Sequence, residues 1–248
     1  MVTTYWTDSS APRYSLLFAL PLFLVYEALA AGLASASPGA AGVRNMADVA
    51  LKTPFLVFSG HRGSLAFFAT IIAVCVFFVG RDMMRAKARL DLRLFGLMLA
   101  ESAILALLLG VVVGTLTQRL LAGLSIELVQ GSVERMGAST RLMLSLGAGL
   151  YEELLFRVIL VGGLAAGFRW LIGGAALQSG IAAAVIGALI FSAFHYVGEY
   201  GDTFTMASFT YRALAGLAFS GLYLSRGFGI TAWTHALYDV YVMLIWSD

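Results

Sequence analysis

Glu152, Glu153 and Arg157 interrupt an apolar run, from about Leu142 to Leu164, that is long enough to cross a bilayer. A charged side chain at the centre of a spanning helix costs roughly 2.5 to 3.5 kcal/mol, so three together demand a polar interior with partners. Helical spacing divides their labour. Residues four apart lie within about 40° of one another on the helix surface, whereas neighbours are separated by about 100°. Glu153 and Arg157 therefore share a face, and the spacing predicts an i,i+4 ion pair. Glu152 points elsewhere and remains as a carboxyl able to accept and return a proton.

The rest of the chain supports the reading of that run as a membrane span. Over 248 residues, 60% are hydrophobic and 12% charged, and the mean hydropathy is +0.88. This composition excludes a soluble domain. The net charge of +2, without a block of like charges, argues against a nucleic-acid partner. Cys75 is the single cysteine, which leaves no intramolecular disulfide and no cysteine metal site. The expectation is an all-α, polytopic membrane helix bundle of about seven to eight transmembrane helices, forming one domain over residues 1–248.

In chain order, a first span is expected from about Tyr14 to Leu33. It contains Pro21 and Glu27 and is followed by Ala34-Ser35-Ala36, a signal-peptidase-like tail. Its length and its glutamate argue for a retained span with Glu27 facing the bundle. Residues 35–63 read as a loop with an interfacial helix at Met46 to Phe58. A second span, Ser64 to Gly80, leads to a short connection crowded with Arg81, Arg85, Lys87, Arg89 and Arg93, which the positive-inside tendency places in the cytoplasm. Leu94 to Leu116, with Glu101, is the third span. The segment Thr117 to Arg141, with Glu127, Glu134 and Arg135, reads as a surface stretch.

After the Glu-Glu-Arg span, spans are expected over about Trp170 to Val197, Phe204 to Leu224 and Ile230 to Trp246. Seven helices put the N-terminus inside and the C-terminus outside, and an eighth would reverse the C-terminus. Drawn this way, His195 falls late in its helix while Glu152 and Asp239 fall near mid-span. An offset of seven residues is about 10 Å, so that helix must begin later, tilt or break.

The ionisable residues of these last spans are Glu152, Glu153 and Arg157, then His195, then His235 with Asp239 one turn later. These are residue types that activate water and stabilise an oxyanion. Each has a structural alternative when taken singly: an intramembrane ion pair for Glu153 with Arg157, and a helix-packing hydrogen bond for either histidine. No serine elbow with a paired histidine is present, and no Gly-x-Gly-Asp.

In order, Glu-Glu-x-x-x-Arg, Phe191-x-x-x-His195 and His235-x-x-x-Asp239 resemble the CPBP intramembrane protease family, which includes CAAX prenyl endopeptidases and bacteriocin-processing or self-immunity proteins. The resemblance covers about residues 142–243. It implies an endopeptidase in which Glu152 and His195 hold and deprotonate the attacking water. Glu153 and Arg157 brace the helix and the carboxylate, and His235 with residue 239 stabilises the oxyanion. Where the family often has Asn, this chain has Asp239, and an ionised carboxylate cannot donate a hydrogen bond. Asp239 is then protonated, orients His235 or binds an ion.

The family has been treated both as glutamate-type and as metal-dependent. Two histidines with a glutamate are an acceptable Zn²⁺ set, but no His-Glu-x-x-His pair is preorganised on one helix, so the reading without a cofactor is favoured. The implied partners are membrane lipid and a protein or peptide substrate with a membrane-embedded or lipidated C-terminal segment. The implied location is a bacterial inner membrane. The rival reading is a non-catalytic immunity factor, scaffold or ligand-binding membrane protein.

Overall fold

The computed structural model describes residues 2–36, 43–87, 90–122, 136–173, 175–198 and 201–245. Arg89, Glu127, Glu134, Arg135 and Trp246, singled out above, lie outside these residues. All regular structure among the described residues is helical.

Two helices form the N-terminal arm, α1 (Val2–Ser10) and α2 (Pro12–Ala36). Next come α3 (Met46–Ser59) and α4 (Gly63–Ala86), then α5 (Leu92–Leu120). A continuous helical rod follows: α6 (Ala138–Gly147), a π-helical stretch (Ala148–Val161) and α7 (Gly162–Ile172). The chain closes with α8 (Ala176–Phe194), α9 (Met206–Arg226) and α10 (Phe228–Ile245).

Five stretches are long and apolar enough to cross a membrane: Pro12–Ala36, Met46–Ala86, Leu92–Leu120, Ala138–Leu171 and Ala176–Phe194. The second contains a reversal. Gly60 adopts φ 53°, the rings of Phe55 and Phe67 meet at 5.5 Å, and a Cβ on Gly63 would lie 2.5 Å from Leu56. The crossing there is α4 alone, with α3 folded back against it. With α9 and α10, 21 and 18 residues long, seven long helices stand among the described residues. Their outward faces are apolar, as a lipid solvent requires: Val111 is 70% exposed and Leu177 74%. The chain is an integral membrane protein built as a helical bundle.

Local sequence explains the helix starts. Asp91 caps α5 by accepting from the Arg93 N–H at 2.9 Å, and Thr205 caps α9 by accepting from the Ser208 N–H at 3.1 Å. Arg81 and Arg85 lie in the last turns of α4, and Arg93 in the first turn of α5. The basic connection is therefore mostly helical, and shorter than its sequence suggests. Arg13 pairs with Asp82 at 2.9 Å while Phe23 meets Phe68 at 5.6 Å, so α2 and α4 run antiparallel.

Helix α10 occupies the centre, packing on α2, α5, α6, α9 and the π-helical stretch. Ala232 and Ala236 are fully buried there. A Cβ on Gly149 would come within 2.4 Å of the Ala232 carbonyl and 2.6 Å of the Ala236 Cβ. Small residues on both sides let the two backbones touch, as membrane packing favours. That contact brings the Glu-Glu-Arg helix against the helix that carries His235.

Candidate active site

The motif helix is not a regular α-helix where the motif lies. Its amides reach back five residues, as from the Gly162 N–H to the Arg157 carbonyl. Such wide turns are frequent at functional sites. Residues four apart still share a face, and Arg157 Nε lies 3.1 Å from Glu153 Oε2. The pair is almost fully buried. Its N–H is not aligned as a hydrogen bond, and the guanidinium instead stacks over Phe191 at 4.3 Å and Phe219 at 5.5 Å.

Glu153 has a second partner. His235 Nδ1–H donates to Glu153 Oε1 at 2.7 Å, and the imidazole stacks on Phe219 with centroids 4.3 Å apart. His235 Nε2 then faces Asp239, with 3.7 Å to Oδ2. This distance is longer than a hydrogen bond. Glu153 therefore bridges Arg157 and His235, a wider role than bracing its own helix.

Glu152 points to the other side, as its spacing predicts. Its Oε2 lies 3.9 Å from His195 Nε2, and its Oε1 accepts a hydrogen bond from Asn45 Nδ2 at 2.8 Å. His195 Nδ1–H donates to the Phe191 carbonyl at 2.9 Å, which leaves Nε2 with its lone pair toward Glu152. Two acceptors 3.9 Å apart do not bond to each other, but one water can donate to both.

Phe191 ties the two halves of the site together. Its ring lies 4.8 Å from His195, 6.4 Å from His235 and under the Arg157 guanidinium. The structure thus brings Glu152, Glu153, Arg157, His195, His235 and Asp239 into one cluster. Among the described residues, no group of three or more His, Cys, Asp or Glu side chains has the arrangement to hold a metal ion.

The depth offset of His195 disappears once the real helix limits are known. Residues 170–172 belong to α7, the chain turns at Gly173 (φ 63°), and α8 begins at Ala176. Glu152 lies 21 residues before Gly173 and His195 lies 20 after Ala175, so two antiparallel arms return to one level. His195 sits just past the end of α8, where the Asp202 N–H bonds its carbonyl at 2.9 Å.

Sequence reading missed Asn45. An Asn before Met46 is legible as a helix cap, and its Oδ1 does accept from the Ala47 N–H at 2.9 Å. Its bond to Glu152, 107 residues away, leaves no local signal. Glu27 faces the bundle as expected, where it meets Lys52 at 2.8 Å and Tyr151 at 2.5 Å. Glu101 pairs with Arg226 at 2.7 Å, away from the histidines.

No curated protein matches the chain, and no solved structure matches it. A family model described as type II CAAX prenyl endopeptidase Rce1-like matches residues 136–241. That interval holds the cluster's six ionisable residues and excludes Asn45. Residues 136–241 of this integral membrane protein are thus similar to the type II CAAX prenyl endopeptidase Rce1-like family.

Proposed function

We propose that the chain is a glutamate-type intramembrane endopeptidase that cleaves a membrane-tethered or lipidated protein or peptide in a bacterial inner membrane. The observation that supports it most is the opposed pair of acceptors, Glu152 Oε2 and His195 Nε2, separated by 3.9 Å inside a helical bundle. A water donating one O–H to each is held for attack. Its oxygen bonds to the scissile carbonyl carbon as Glu152, aided by His195, takes the proton and the carbonyl electrons move onto oxygen. His235 donates from Nε2 to that oxyanion, with its other nitrogen held by Glu153. The tetrahedral species collapses as the C–N bond breaks, and the stored proton passes to the leaving nitrogen.

The proposal is tested by terminal-peptide mass spectrometry on membranes from cells producing the wild-type chain or a variant. New termini should appear with the wild type. The rate of their formation should fall about 10²- to 10³-fold in His235→Ala, the size of effect seen when an oxyanion donor is removed. Asp239→Asn should stay within about tenfold of wild type, because at 3.7 Å its carboxylate makes no direct hydrogen bond to His235. No change in termini with His235→Ala would favour the scaffold reading instead.

Cleavage by purified protein should also survive exhaustive chelation at its full rate. The prediction rests on the arrangement of the described side chains, among which no group of three or more His, Cys, Asp or Glu is placed to hold a metal ion. Activity lost on chelation and restored by Zn²⁺ would overturn the glutamate-type assignment while leaving proteolysis intact.

A further inference from the structure

Resting on the proteolytic reading, we infer that Asn45 is a positioning residue that fixes Glu152, so the N-terminal half of the chain completes a site whose motifs all lie in the C-terminal half. Asn45 is 7% exposed, and both ends of its amide are used. Its Oδ1 caps α3 through the Ala47 N–H, and its Nδ2 donates to Glu152 Oε1. This chemistry leaves one orientation for the amide. It also selects which carboxylate oxygen is free, because Oε2 is left to face His195.

Asn45 is itself held by a closed ring of polar contacts. Its backbone N–H donates to the Tyr26 hydroxyl at 3.3 Å, and that hydroxyl donates to Asp48 Oδ2 at 2.9 Å. Lys52 Nζ spans Asp48 Oδ1 at 2.6 Å and Glu27 Oε1 at 2.8 Å. Tyr151 donates to Glu27 Oε1 at 2.5 Å, and Tyr151 precedes Glu152 in the chain. Arg44 pairs with Asp48 at 3.0 Å and with Glu27 at 3.3 Å, so two cations balance two carboxylates. Tyr26 and Asp48 are fully buried. The ring runs from Glu152 through Asn45, Tyr26, Asp48, Lys52, Glu27 and Tyr151 back to Glu152. It ties α2, α3 and the π-helical stretch into one rigid bracket.

Capping and positioning make opposite demands on residue 45, and four variants of the full chain separate them. Asn45→Ser and Asn45→Asp keep the cap. Serine does not reach Glu152, and aspartate has no donor for it. Asn45→Gln keeps a donor but is a poor cap, and Asn45→Ala keeps neither. The readouts are the rate of forming termini that depend on Glu152, the split between kcat and KM on a peptide spanning one such cleavage site, and the thermal midpoint in lipid nanodiscs.

If Asn45 positions Glu152, Ser and Ala should lose about 10- to 100-fold in kcat at little-changed KM, as expected for one lost hydrogen bond to a charged group. Asp should lose more and Gln less, while Ser keeps the wild-type midpoint. If capping is the whole role, Ser and Asp stay active and Gln fails, which overturns the inference. Should Ser not fold, the order of Gln against Asp decides alone. Termini that depend on Glu152 but form at wild-type rate in Asn45→Ser overturn only the inference. If no terminus depends on Glu152, the proteolytic reading falls as well.

Discussion

Glu152→Gln should abolish proteolysis, lowering kcat/KM by about 10³- to 10⁴-fold, toward the upper end of what one positioned base supplies. The replacement is isosteric, so Asn45 can still donate to the amide oxygen where Oε1 now accepts. The other end changes sign. An NH₂ would face His195 Nε2 across 3.9 Å, offering a donor where the water needs an acceptor and a base. One of the two acceptors of the water site, and the base itself, is thereby lost in one substitution. The thermal midpoint should stay within a few degrees of wild type, because no buried charge is left unpaired. The measurement is the rate at which new termini accumulate in membranes, alongside thermal unfolding of the purified variant. A variant retaining a tenth or more of the wild-type rate would remove Glu152 from the role of base.

The largest effect on folding should come from Arg157→Met. Removing one partner of a buried ion pair costs about 3 to 5 kcal/mol, because the remaining charge keeps its desolvation penalty without compensation. Arg157 and Glu153 are 1% and 0% exposed, and the guanidinium also fills the space between Phe191 and Phe219. His235 still holds the other oxygen of Glu153, which keeps the loss within that range. The variant should express poorly in folded form and unfold at a markedly lower temperature. The double variant Glu153→Gln with Arg157→Met should recover most of the stability, since no lone charge is left. It should not recover activity, because His235 has lost its carboxylate partner. If Arg157→Met unfolds at the wild-type temperature, the pair carries no stability and the argument fails.

The two variants also show how far each part of the site could be read in advance. The pairing of Glu153 with Arg157 and the separate direction of Glu152 follow from spacing along one helix, and a π-helical turn leaves residues four apart on one face. The histidines were legible as intramembrane polar residues, which lipid does not tolerate without partners. Their partners were only partly legible. The bond from His235 to Glu153 requires Gly149 to sit against Ala232 and Ala236, a contact between helices that neither local pattern states. The placement of His195 turned on where α8 begins, and hydropathy does not locate a break inside a long apolar stretch.

The chain's apolar length and its buried charges determined by themselves a helical membrane bundle, an ion pair four residues apart and a set of polar residues that had to converge. These are consequences of transfer free energy and helical period, both of which act along the chain. Tertiary structure alone decided that Asn45 reaches Glu152, that Phe191 lies between both histidines and Arg157, and that the Tyr26, Asp48, Lys52 and Glu27 ring backs the site. Such contacts join residues up to 124 positions apart. They depend on which helix faces which, and on how closely small residues let the backbones approach.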